Sequence, residues 1–379
     1  MKPNVLRSAL VVLLLAAAGA AAGAFETSIA GLRLIGVRTL PHLQPFAGTI
    51  VGGLSGLSYE PAADRWLAIS DDRSEHSPAR AYRLRLDYDS TRFSSATVEA
   101  VIVLRQPNGS AYPAKGTPGM VPDFEALAID PLDSSLWYTS EGDRALGLDP
   151  FVRHAARDGR FIAEPSLPPL FRFHAGQEIG PRNNLTFEGL GFAQDGQNLW
   201  LAMEAPLYQD GPTPTLNSGA LARITRFTRD GAVVAQYAYP IESVPVAASS
   251  GRLADNGVAE ILALTGTRLL VLERAGRQDE VEAWHYAVRL FEADFAQSTD
   301  VAAMPALAGK QIQPAAKQLL LDFAKSGLPP VDNLEGLAWG RSLANGHRTL
   351  VLVSDDNFKA TQSTQLWVFE VLPANPISP

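Results

Sequence analysis

The chain contains no cysteine. Disulfides, thiolate metal sites and lipid anchoring on cysteine are therefore excluded. Its six histidines are scattered over positions 42, 76, 154, 174, 285 and 347, and no H-E-x-x-H pair sets two of them on one helix face. A G-x-S-x-G nucleophile elbow is missing too; Gly53–Leu57 reads GLSGL and does not match it. There is no G-x-x-x-x-G-K phosphate loop. Basic residues are outnumbered, with 32 Lys and Arg against 40 Asp and Glu, and the formal net charge of −8 argues against a nucleic-acid partner. Beyond the first 24 residues no apolar run is long enough to cross a bilayer. Long helices have little room among 31 glycines and 27 prolines.

What is present at the N-terminus is a targeting pattern. Lys2 and Arg7 precede the apolar run Ala9–Ala18, and Ala22-Gly23-Ala24 is an A-x-A cleavage site. Residues 1–24 are expected to be a cleaved signal peptide, and residues 25–379 a single domain. Arginine greatly outnumbers lysine and alanine is abundant, as in GC-rich bacterial genomes. The expected location is the periplasm or the medium, and the expected state a monomer.

Short, evenly spread aromatic and β-branched runs between Gly/Pro turns indicate an all-β protein. Five segments repeat, beginning at Ser55 (SGLSYEPAADRWLAISDD), Glu125 (EALAIDPLDSSLWYTSEGD), Glu188 (EGLGFAQDGQNLWLAMEA), Glu260 (EILALTGTRLLVLER) and Glu335 (EGLAWGRSLANGHRTLVLVSDDN), with a mean spacing of 70 residues. Each reads as a hairpin whose second strand carries a bulky residue: Trp66, Trp137, Trp200, Leu270 or Leu350. Weaker strand pairs follow most of them, such as Arg80–Asp89 with Ala96–Leu104. Repeated four-stranded units are the sequence form of a β-propeller. Five blades are expected. The alternative is a sixth, degenerate blade hidden in the Pro/Gly-rich insertions Gln106–Pro122, Phe173–Asn184, Pro206–Gly219 and Gln297–Gln313. The fifth unit is one strand short and the segment Leu32–Leu40 has no partner of its own, so the N-terminal segment is expected to pair with Thr364–Leu372 and close the ring.

The strand that begins each hairpin starts with a carboxylate. In a propeller this strand lines the central channel, so Glu125, Glu188, Glu260 and Glu335 are expected to converge at one end of it, with Ser55 in the fifth place. Glu125 and Glu141 are sixteen residues apart, as are Glu188 and Glu204, and Ser55 and Asp71, which predicts that each pair lies opposite across its ladder. A second acidic tier surrounds them: Asp71, Asp72, Glu141, Asp143, Glu204, Glu273, Asp355 and Asp356. Like charges this close resist ionisation unless compensated. Arg73, Arg144, Arg274 and Lys359 follow the acidic turns and offer one remedy. A hard cation is the other, and oxygen-only ligands suit Ca²⁺ or Mg²⁺. A wholly structural role, in which the carboxylates cap turns and backbone N–H groups, is the competing reading. His76, just after the first acidic turn, is the histidine best placed for a role, and the tryptophans are expected in the blade cores.

Together, DFEALAID…LWYTSEGD, TFEGLGFA…LWLAMEA and NLEGLAWG…LVLVSDDN resemble the phytase-like domain of bacterial exported proteins, described as the esterase-like activity of phytase. The resemblance covers nearly the whole mature chain. It implies a propeller with a Ca²⁺-dependent phosphoesterase-like activity. The family's repeated acids fall on Glu125, Glu188 and Glu335, with Asp71, Asp72, Glu141, Asp355 and Asp356. Ser55 departs from the Glu pattern, and AEILAL in the fourth unit lacks the glycine. The expected assignment has Glu125, Glu188 and Glu335 as catalytic carboxylates, and Asp71, Asp72, Glu141, Glu204, Glu260, Asp355 and Asp356 as Ca²⁺ ligands. Arg73, Arg144, Arg182 and Lys359 would bind a small anionic phosphate ester. A non-catalytic periplasmic binding or scaffolding propeller is the alternative.

Overall fold

Five four-stranded antiparallel sheets close into a ring in the computed structural model, which describes residues 28–374. The expected signal peptide at residues 1–24 lies outside the described residues. From the channel outward, blade 1 consists of Leu54–Glu60, Arg65–Ser70, Arg80–Tyr88 and Phe93–Val103. Blade 2 is Leu127–Ile129, Leu136–Ser140, Phe151–Ala155 and Phe161–Ala163. Blade 3 is Phe187–Phe192, Asn198–Met203, Ala220–Thr228 and Val233–Ile241. Blade 4 is Gly257–Ala263, Arg268–Gln278, Trp284–Asp294 and Ala316–Asp322. Blade 5 is Asn333–Gly340, Thr349–Asp355 and Gln365–Pro373, and its outermost strand is the N-terminal Ile29–Thr39. The fold is thus the all-β, five-bladed propeller expected. The outer pair of blade 2 is short and gave no separate signal in the sequence. Among the described residues no helix is long and apolar enough to cross a membrane.

Closure follows the predicted strand exchange. Ile29–Thr39 pairs antiparallel with Gln365–Pro373 from Ile29↔Pro373 to Thr39↔Gln365. Arg33 adds an ion pair to Glu370 and donates to the Ser90 carbonyl of blade 1. The insertions hold no sixth blade: none of them contributes a strand to a sheet. Instead Val301 and Leu307 of the last insertion pack on Ala238 at the outside of blade 3.

The core lies between blades. Trp66 and Leu57 of blade 1 pack with Ala338, Val351 and Val368 of blade 5, and Leu270 of blade 4 packs with Leu350 and Trp367 of blade 5. Leu67 and Ile69 meet Leu127 and Tyr138 across the blade 1–blade 2 seam. The bulky residue of each second strand is therefore the wedge that fills a seam. Turn residues match their loops: Gly196 (φ +65°), Ser134 (φ +62°) and Asp64 (φ +50°) take the left-handed conformation that tight hairpins require.

The glycine of the E-G-L repeat has a packing reason. Adjacent innermost strands touch all round the ring. A Cβ at Gly56 would lie 2.5 Å from the Glu125 carbonyl, one at Gly336 2.4 Å from the Ser55 carbonyl, and one at Gly189 2.9 Å from the Ile261 amide. Gly336→Ala is expected to destabilise the protein by about 1–3 kcal/mol, because a rigid neighbouring backbone cannot give way. Gly191→Ala, whose Cβ would meet nothing closer than 3.6 Å, is expected to leave the urea midpoint unchanged. Equal midpoints for the two variants would show that the inner strands are free to separate.

Candidate active site at the acidic end of the channel

A β-bulge aims the carboxylates. In blade 3, Thr186 pairs with Glu204 and Phe187 with Met203, and Glu188 is then extra before Gly189 meets Ala202. Blade 5 repeats this, with Asn333 opposite Asp355 and Glu335 in the bulge. In blade 2 Asp123 is opposite Glu141 and Glu125 falls in the bulge, and in blade 1 Gly53 is opposite Asp71 and Ser55 occupies it. A bulge turns one side chain away from the strict alternation of the strand. This corrects the expected register. Glu141, Glu204 and Asp71 lie opposite the residue two before the bulged position, not opposite Glu125, Glu188 and Ser55.

Blade 4 is displaced by one residue. There Gly257 pairs with Arg274 and Val258 with Glu273, so the bulge falls on Ala259. Glu260 occupies the place that glycine takes in E-G-L. Its carboxylate accepts from the backbone N–H groups of Leu190 and Ile261 and stays off the channel. Glu273 is likewise outside the site, buried against Tyr239, Asn256 and Lys317. The residue equivalent to Asp71, Glu141, Glu204 and Asp355 is Arg274.

The resulting cavity has a volume of about 470 Å³ and is lined by Asp71, Asp72, Asp123, Glu125, Glu141, Glu188, Glu204, Glu335 and Asp355, with Arg274 among them. Carboxylate oxygens of Glu125, Glu141 and Glu188 lie within 4.8 Å of one another, and all three residues are buried. Ser55 Oγ donates to Glu125 Oε2 at 2.7 Å, so the one non-acidic bulge residue supports its neighbour. Thr186 N–H donates to Glu141 Oε1. Asn333 Nδ2 donates to Glu335 at 2.8 Å and to Asp355 at 3.3 Å. Glu188 Oε2 and Asn333 Oδ1 are buried without any hydrogen-bond partner, and so is Asp71 Oδ1. Buried oxygens without partners are costly, and these three face a cavity crowded with like charge. Such a donor set, hard, anionic and under-satisfied, fits a hard cation with irregular oxygen coordination.

Charge crowding shows in the ionisation. Burial first, then Glu141 and Asp71, push the Glu125 carboxyl well above the usual range. Burial followed by Glu125 and Glu204 does the same for Glu188. Asp71 and Asp355 are raised by burial and by their acidic neighbours. Glu204 is pushed up to about 8 by burial, although Arg274 pulls it down, and Asp123 to about 7 by burial against the pull of Arg73. Burial works to lower the Arg274 value, but Glu335, Glu204 and Asp255 outweigh it and hold the guanidinium charged. Its Nη2 is 3.1 Å from Glu204 and its Nε 3.6 Å from Glu335.

These raised values fix a pH dependence. In the unfolded chain the same carboxyls ionise at about pH 4. Between pH 4 and pH 8 the unfolded chain therefore gives up protons that the folded ring keeps. The stabilisation is complete below about pH 4 and is lost as pH rises through the folded values. With chelator present, the melting temperature is expected to fall steadily from pH 5 to pH 8. A flat profile would mean that the ring carboxylates are already compensated.

The remaining sequence-derived site residues divide. Arg73 lines the cavity, 2.7 Å from Asp143 and 3.5 Å from Asp123, and Lys359 also faces it. Arg144 does not: its guanidinium donates to the carbonyls of His174, Gln177 and Pro181 and clasps a loop. Arg182 donates to the carbonyls of Pro206 and Gly211 in the same way. Asp356 accepts from the N–H groups of Gly53 and Phe358 and has no face on the cavity. Asp72 lies at the cavity edge, but both oxygens are engaged by Arg80 and by the N–H groups of Glu75, His76 and Ser77. His76 stands at the mouth, stacked on Phe358 at 4.2 Å and 10°. Asn357 and Phe358 both have positive φ (46° and 53°), a strained turn that lays the Phe358 ring over Gly52 and Gly53.

Sequence reasoning missed Asp123, Asn333, Lys115, Asp255, Trp284 and Tyr286 as lining residues. Asp123 and Asn333 were detectable, because each stands two places before a bulged Glu in the repeat. Lys115, within an insertion, carried no signal.

The chain belongs to the Phytase-like family, described as Esterase-like activity of phytase, which matches residues 49–358. No curated protein sequence matches it. Among solved structures it is similar to an endo-1,4-beta-xylanase from Bacteroides thetaiotaomicron VPI-5482 (11% identity, 83% of this chain and 89% of that one, TM-score 0.42). It is also similar to a thermostable family-43 glycoside hydrolase (10% identity, 89% and 98%, TM-score 0.44). A third is the catalytic domain of the Coprinopsis cinerea GH62 alpha-L-arabinofuranosidase (10% identity, 91% and 98%, TM-score 0.44). At these scores the likenesses bear on neither activity nor substrate.

Proposed function

We propose that the protein is an exported, Ca²⁺-dependent hydrolase of phosphate mono- or diesters. The observation that carries this reading is the buried trio Glu125, Glu141 and Glu188, with Glu188 Oε2 left without a partner. Those three would hold the ion, with Asp71 and Asp355 beside them. A bound Ca²⁺ would neutralise phosphate oxygens and acidify a water. Arg73, Lys115 and Lys359 at the cavity edge would bind the anionic group and orient it. Glu335, fixed by Asn333, would take the proton from an attacking water at Oε2; burial raises its carboxyl, a shift that Arg274 opposes. The hydroxide oxygen then adds to phosphorus as the ester P–O bond breaks, the leaving alkoxide takes a proton from water, and Glu335 returns its proton to water.

The test is a panel of aryl phosphate mono- and diesters assayed with Ca²⁺ and with EDTA. Turnover that appears with Ca²⁺ and vanishes with EDTA is expected. Its absence across the panel would favour the second reading, a binding propeller without catalysis. One observation supports that alternative: Glu260, Asp72 and Asp356 spend their oxygens on backbone N–H groups, as structural carboxylates do. The targeting pattern of this chain, Lys2 and Arg7 before the apolar run Ala9–Ala18 and then Ala22-Gly23-Ala24, supports a periplasmic or secreted location under either reading.

A further inference from the structure

The acidic cavity shares a wall with a second depression. Trp284 and Tyr286, which line the cavity, also line a trough of about 580 Å³ together with Phe323, Leu328, Pro330 and Val331. Their rings are stacked, 6.3 Å apart at 12°. The position of Trp284 is unusual for this chain. Trp66, Trp137, Trp200 and Trp367 are wedged into the core, and Trp339 donates Nε1–H to the Ala263 carbonyl under the Arg348 guanidinium. Trp284 instead lies half-buried over Gly276, where a Cβ would come within 2.9 Å of the indole. Glycine at 276 leaves room for the indole, which borders both depressions.

The trough offers nothing to a second anionic group. Its ionisable residues are Asp332 and His285. Asp332 is occupied by the N–H groups of Asn333 and Ser363 and by Ser363 Oγ, and His285 is paired with Asp279. No Lys or Arg is among the residues lining the trough, whereas Arg73, Lys115 and Lys359 line the cavity. One substrate reaching from the cavity across Trp284 therefore meets charge first and hydrocarbon second.

We propose that the trough is the subsite for the apolar part of an amphiphilic ester, whose anionic head sits in the acidic cavity and whose alkyl or aryl group crosses Trp284 and Tyr286 onto Leu328 and Val331. The proposal rests on the phosphoester reading of the cavity. It commits the site to substrates with one anionic end and sets it against polyanions that carry charge at both ends.

The test uses n-alkylphosphonates from methyl to octyl, which cannot be hydrolysed, titrated calorimetrically into the protein with Ca²⁺. Affinity is expected to rise about two- to fourfold per methylene as the chain fills the trough. Leu328→Asp, at a partly exposed position that lines the trough and not the cavity, is expected to flatten the series while methylphosphonate affinity is unchanged, and Trp284→Ala is expected to flatten it too. Octanol, which has no head group, is expected to bind far more weakly than octylphosphonate. Equal affinity for methyl- and octylphosphonate would overturn the trough and leave the phosphoester reading standing. A length-dependent series in a protein that hydrolyses no ester would keep the trough and remove the hydrolase. Failure of every phosphonate to bind would overturn both.

Discussion

Glu188→Gln is expected to abolish the Ca²⁺-induced rise in melting temperature and to reduce ester turnover at least about a hundredfold, the scale on which a positioned acid–base or charge-stabilising group acts. In chelator the variant should be as stable as the parent or more so. Glu188 Oε2 has no hydrogen-bond partner, so its replacement breaks no bond there. The carboxyl is raised by burial and by Glu125, Glu204 and Glu141, and a neutral amide relieves that repulsion. Cation binding at a hundredfold excess over Kd stabilises a native state by about 2.7 kcal/mol, and this is what the variant should lose. Glu260→Ala is the contrasting case. It leaves the buried Leu190 N–H without its acceptor, at a cost of about 1–3 kcal/mol, and should lower the melting temperature while the Ca²⁺ response persists. Differential scanning calorimetry of both proteins, with Ca²⁺ and with EDTA, separates a ligand from a structural carboxylate. A Glu188→Gln protein that kept its full Ca²⁺ response would place the cation elsewhere.

Deletion of residues 25–40 is expected to remove cooperative unfolding and any Ca²⁺-induced stabilisation together. Ile29–Thr39 supplies the whole outer edge of blade 5, buries Ile29 and Ile35, and brings Gly36 close against Phe93 of blade 1, where an added Cβ would stand a tight 3.0 Å from the Phe93 Cβ. Without it, Gln365–Pro373 becomes an open edge and the blade 5–blade 1 seam loses part of its packing. The acidic site draws Ser55 and Asp71 from blade 1 and Glu335 and Asp355 from blade 5, so opening that seam disperses it. A peptide spanning residues 28–40, added in trans, should restore part of the melting transition. A truncated protein with native melting temperature and native Ca²⁺ response would show that the ring does not depend on its terminal strand.

Much of the site could be anticipated because the repeat is carried by residues with steric or polar reasons to recur. Glu125, Glu188 and Glu335 were legible as one set since each begins an inner strand, and the glycine after two of them marks close backbone approach. Blade 4 was misread for a physical reason. Aligning Glu260 with the other glutamates ignores a bulge that falls one residue earlier, on Ala259. A strand has a side-chain period of two, so a shift of one residue takes Glu260 off the channel and places Arg274, not Glu273, among the acids. The missing glycine in AEILAL was the warning: Glu260 stands where that glycine would be.

By itself the sequence determined the class, the repeated unit, the closing strand and the acidic character of one channel end, because strand alternation, turn residues and a 70-residue repeat are local properties; the choice of five blades over six needed the structure, which shows no strand in the insertions. Only the tertiary structure decided which carboxylates share a cavity. Asp72, Asp356 and Glu260 are acidic residues at the expected places, yet backbone N–H groups claim their oxygens. Arg144 follows an acidic turn and Arg182 lies in an insertion beside the next, yet carbonyls of neighbouring loops claim their guanidinium groups. The wall formed by Trp284 and Tyr286 arises because the third strand of blade 4 begins at the cavity rim. A side chain's partner is set by what the rest of the chain brings to it, and that is not written in its own neighbourhood.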